Sequence, residues 1–60
     1  MDSEEIMDAY HDLPYKQRVE VLEIAIGFMQ QYNGRSNNDC IVLAMIVNYP
    51  KKYKLDEESH

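Results

Sequence analysis

The chain has 60 residues, enough for one small domain, with 11 acidic against 6 basic side chains and a formal charge of -5. That balance disfavours nonspecific binding of nucleic acid or of an anionic membrane by the domain as a whole. Cys40 is the only cysteine, so no disulfide can staple the chain internally, and one Cys with two His is a poor basis for structural zinc. A domain of this size buries only about 60% of its unfolded surface, so it needs tight helix packing or a partner.

Residues 2–11 predict a short first helix. Asp2 with Glu5 has the spacing of a capping box, and Ser3 is an alternative cap. Glu4 and Glu5 suit the positive end of the helix dipole. Ile6, Tyr10 and Leu13 share one face, with Met7 beside them. Pro14 disfavours helical geometry at Leu13, so this helix should stop near His11.

The stretch from Pro14 to Gly34 predicts one long amphipathic helix, the element around which the chain is organised. Asp12 is the expected N-terminal cap, with Pro14 in the first turn. Asn33-Gly34 suits a left-handed C-terminal cap. Tyr15, Val19, Leu22, Ile26 and Met29 fall on one stripe at 4-3-4-3 spacing. Val21, Ala25, Phe28 and Tyr32 form a second stripe, widened by Ile24. Together the stripes cover roughly 200°, about twice the apolar face of an ordinary surface helix. Such a helix needs neighbours on two sides. Gly27 lies on its polar arc, at a cost of about 1 kcal/mol relative to Ala. Either that cost is tolerated there or something approaches the backbone.

Ser36 followed by Asp39 predicts a second, weaker capping box. The run from Cys40 to Val47 is apolar without interruption, so periodicity cannot separate helix from strand. Helix is favoured, because a lone strand would have no strong strand to pair with. Pro50 should end it near Asn48 or Tyr49. The run is too short to span a bilayer. Lys51, Lys52 and Lys54 precede the acidic residues Asp56, Glu57 and Glu58; Tyr53 and Leu55 between them can fold back onto the body.

The expected fold is therefore all-α. It is a small three-helix domain with a short helix 1, a long central helix 2 and an apolar helix 3. Residues 1–55 form the domain, and 56–60 a mobile acidic tail. Three helices of this size are not expected to bury all their apolar surface, so a homodimer through helices 2 and 3 is expected. Its self-association residues would be Val21, Ile24, Phe28, Tyr32, Ile41, Met45 and Tyr49. A lone thiol and an acidic start without a secretory signal suggest the cytoplasm, of the source cell or of a host.

No phosphate loop, zinc pair or nucleophile elbow is present, and no enzyme activity or cofactor is expected. Glu4, Asp8 and His11 share a helix face, with Asp12 adjacent. Metal sites of this kind need ligands converging from separate elements, and a solvated acidic face is the simpler reading. Cys40 opens an apolar run, which suits a buried thiol rather than a nucleophile. Asp12 to Leu22 resembles the opening of a helix-turn-helix region in sigma factors. The polar recognition helix that should follow is replaced by residues 40–47, so the family is not assigned.

The functional expectation is a small acidic protein-binding regulator or inhibitor that occludes a site on a larger protein. Chains of this size and character are common among phage and mobile-element proteins. The expected partner face is Asp2, Glu4, Glu5, Asp8 and Asp12, extended by Glu20 and Glu23 if the carboxylates imitate phosphates. Five tyrosines fit either an interface or the rim of a small core. The alternatives are an assembly subunit joined through its apolar helices, and a weak nucleic-acid-binding regulator. The latter would use Arg35 and the lysines of 51–54, with Tyr53 as a stacking ring.

Overall fold

A computed structural model describes residues 1–56. It contains three helices: α1 (Ser3–Asp12), α2 (Tyr15–Gln31) and α3 (Asn37–Asn48), with no strand among the described residues. The ambiguous apolar run is thus helical. Part of the expected 56–60 tail, residues 57–60, lies outside the described residues.

Local chemistry accounts for most of the helix ends. Asp2 accepts from the Glu5 amide at 2.8 Å, and the Glu5 carboxylate accepts from the Asp2 amide at 3.0 Å, closing the capping box of α1. Leu13 is extended (φ -67°, ψ 146°), as the following proline demands. Ser36 caps α3 by accepting from the Asp39 amide at 3.1 Å. The start of α2 differs from expectation. Its N-cap is Pro14 itself, with no side-chain hydrogen bond, and Asp12 is the last residue of α1. Leu13 (φ -67°, ψ 146°) and Pro14 (φ -55°, ψ 153°) form an extended corner that separates Asp12 from the first turn of α2. At the other end α2 stops at Gln31, before the expected glycine cap. Gly34 follows with φ +93°, a conformation that costs a glycine little, and turns the chain toward α3.

The core is a single cluster. Ile6 and Tyr10 come from α1, and Val21 and Ala25 from α2. The third helix supplies Cys40, Ile41, Val42, Ala44 and Met45, and the C-terminal segment adds Tyr53. α1 and α2 both pack on α3. A helix apolar on all sides is stable where neighbours cover it, and α3 occupies that place. Most of the run is buried within one chain, and Val47 at its end is 57% exposed.

On α2 the two stripes take different roles. Val21 and Ala25 of the second stripe are fully buried, and Ile24 and Phe28 pack against the core. The first stripe faces outward from Tyr15 to Ile26, while Met29 at its end is half-buried against the core. Tyr15 is 75% exposed, Ile26 45%, and Val19 and Leu22 37% each. The polar arc holds Gly27, where an added Cβ would meet nothing within 4 Å, so no close approach explains this glycine.

The chain ends are tied together. The Asp56 amide donates to the Met1 carbonyl at 2.9 Å, and the Met1 ammonium donates to the Lys54 carbonyl and pairs with the Asp56 carboxylate. The hydrogen bond to Asp56 holds the ammonium pKa above its ordinary value.

Candidate functional site

Two surfaces stand out: a groove lined by carboxylates, and the outward stripe of α2. The groove lies between α1 and the first turns of α3. Its volume is about 460 Å³. Glu4, Asp8 and His11 line it from α1 at spacings of four and three residues, which stack side chains on one helix face. Asn38 and Asp39 line it from the first turn of α3. Met7 and Val42, both in or against the core, add an apolar element. The groove therefore offers three carboxylates of two helices beside an apolar strip.

Of the expected partner face, Glu4 and Asp8 line this groove. Asp2 and Glu5 are exposed but bonded to each other in the capping box, and Asp12 sits exposed at the end of α1. Asp39 belongs with Glu4 and Asp8, although the sequence offered it only as a capping residue. Its place follows from the packing of α1 on α3. The drawn metal constellation of Glu4, Asp8 and His11 does not assemble. Among the described residues no group of three or more His, Cys, Asp or Glu is placed to hold a metal ion.

The expected self-association residues divide. Val21 and Met45 are completely buried and Ile41 is 9% exposed, so none of them can meet a second copy while the fold holds. Which face of α2 turns inward depends on where α3 lies. Ile24, Phe28 and Tyr49 are half-buried against the core. Tyr32 is exposed, stacked on Phe28 at 5.7 Å between ring centroids, and carries the Arg35 guanidinium over its ring at 5.7 Å. On α2 the exposed apolar side chains are those of the first stripe from Tyr15 to Ile26, with Tyr32 beyond them. Beside that stripe, Tyr10, Tyr15, Arg18, Val19 and Leu22 line a shallow groove of about 210 Å³. Arg18 Nε is buried there with no hydrogen-bond partner.

The lysine segment is reorganised too. Tyr53 is 6% exposed, edge-on to Tyr49 at 5.7 Å, with the Lys52 ammonium 5.5 Å from its ring centroid. It is part of the core and not a free stacking ring for a nucleobase. Cys40 is a free, buried thiol. No described helix is long and apolar enough to cross a membrane.

The comparisons add no relative: no protein-family model, no curated protein and no solved structure matches the chain.

Proposed function

We propose that this protein is a non-enzymatic regulator that binds a larger protein and covers a basic site on it. The observation that carries this reading is the groove in which Glu4 and Asp8 of α1 meet Asp39 of α3 beside Met7 and Val42. A Lys or Arg side chain has matching chemistry. Its aliphatic stem lies on apolar surface while its charged end meets carboxylates. The net charge of -5 favours encounter with a positively charged partner. Occlusion suits the remaining features, because a 60-residue chain can cover a site without chemistry of its own.

Capture from cell extract, with the bound protein identified by mass spectrometry, supplies the partner. Glu4→Gln combined with Asp8→Asn should then weaken that complex by roughly tenfold or more and reduce its salt sensitivity. Both residues are exposed, so the double variant should keep the fold. Unchanged affinity and salt dependence in the folded double variant would reject the groove as the binding face.

A further inference from the structure

We infer that the outward stripe of α2 is a dimer interface, in which the α2 helices of two copies lie parallel and in register. The stripe repeats as a heptad. Tyr15, Leu22 and Met29 take the d positions, and Val19 and Ile26 the a positions. At the centre of the stripe, β-branched Val19 and Ile26 at a flank Leu22 at d, the combination that favours two parallel strands. The pairing is a twofold one, so every stripe residue faces its own copy. The four strongest members, Tyr15, Val19, Leu22 and Ile26, are each at least 37% exposed in the single chain.

The charges beside the stripe are self-complementary in this arrangement. Arg18 occupies a g position and Glu23 the e position five residues on. In a parallel pair these two meet across the interface, and the twofold axis produces the contact twice. Within the chain Arg18 has no ion pair among the described residues, and its Nε is buried at the edge of the same stripe. The core lies on the flank of α2 that carries Val21 and Ala25, beside the stripe, and Met29 at the C-terminal end of the stripe packs against it, so Tyr15, Val19, Leu22 and Ile26 make the contact between copies. The stripe covers about two heptads, or roughly 21 Å of helix. That is short for an isolated coiled coil, but here α1 and α3 already hold each α2 in place. The acidic groove involves other residues, so dimerisation and partner capture can be tested separately.

The test is sedimentation equilibrium of the full chain with charge-reversal variants. The wild type should sediment as a concentration-dependent dimer. Arg18→Glu and Glu23→Arg should each weaken dimerisation by roughly tenfold. The double variant should restore it, because the two pairs are re-formed with reversed sign. Circular dichroism of each variant separates lost association from lost folding. Ile26→Cys fixes the direction, since an a position faces its own copy across a parallel axis and Cys40 is fully buried. Oxidation should then yield a covalent dimer. A wild-type chain that stays monomeric at millimolar concentration overturns the inference. A dimer rescued by exchanging Lys16 with Glu23, and not Arg18 with Glu23, overturns the parallel arrangement.

Discussion

Met45→Ala is expected to unfold a large fraction of the protein. Met45 is completely buried in the core cluster and is one of its largest side chains. Truncating a buried methionine to alanine costs about 2–5 kcal/mol, the loss of transfer energy plus that of the cavity left behind. A domain of this length has a total stability of roughly 3–9 kcal/mol at 0.05–0.15 kcal/mol per residue. The two ranges overlap, so a single substitution in α3 can remove most of the margin. Urea denaturation followed by circular dichroism checks this. A midpoint within error of the wild type would mean that α3 is not the centre of the core.

Tyr53→Ala is the second large expected effect, a loss of about 3 kcal/mol. Tyr53 lies beyond the last helix, in a charged segment between Lys52 and Lys54, yet it is buried with the core and sits edge-on to Tyr49. Its burial makes the C-terminal segment part of the domain, assisted by the contacts between Met1, Lys54 and Asp56. Exposed contacts of that kind contribute little by themselves, so the ring should dominate. The same measurement serves, with Lys54→Ala as a control expected to change stability by less than about 0.5 kcal/mol. Equal effects of the two substitutions would place Tyr53 outside the core.

The helix starts of α1 and α3 were legible because their signals are local. Asp2 with Glu5, and Ser36 with Asp39, act over three residues and need no knowledge of the rest of the fold. The pre-proline break at Leu13 is local in the same sense. What the sequence could not show was which apolar stripe of α2 turns inward. Both stripes have the same period and comparable hydrophobicity, and the choice depends on how the extended corner at Leu13-Pro14 and the turn at Gly34 aim α2 at α3. The sequence offers Val21 and Met45 equally to an interface and to a core, and in the single chain both lie in the core. Asp39 was missed from the groove for a related reason: it is distant from Glu4 and Asp8 in sequence and joins them only through helix packing. That Tyr53 can fold back onto the body was legible from an apolar ring in a charged segment, but the sequence offered Leu55 equally, and Leu55 is 44% exposed.

The central claim is that α2 commits one stripe to the core and presents the other outward. The most direct test compares two adjacent positions, Val21→Ala and Leu22→Ala, in urea denaturation. It should be run at protein concentrations low enough that the midpoint no longer depends on concentration. Val21 is completely buried and Leu22 is 37% exposed. The account predicts a loss of roughly 2 kcal/mol for Val21→Ala and a distinctly smaller loss for Leu22→Ala, although leucine has more to lose. A larger loss at Leu22 than at Val21 would contradict the placement of both stripes.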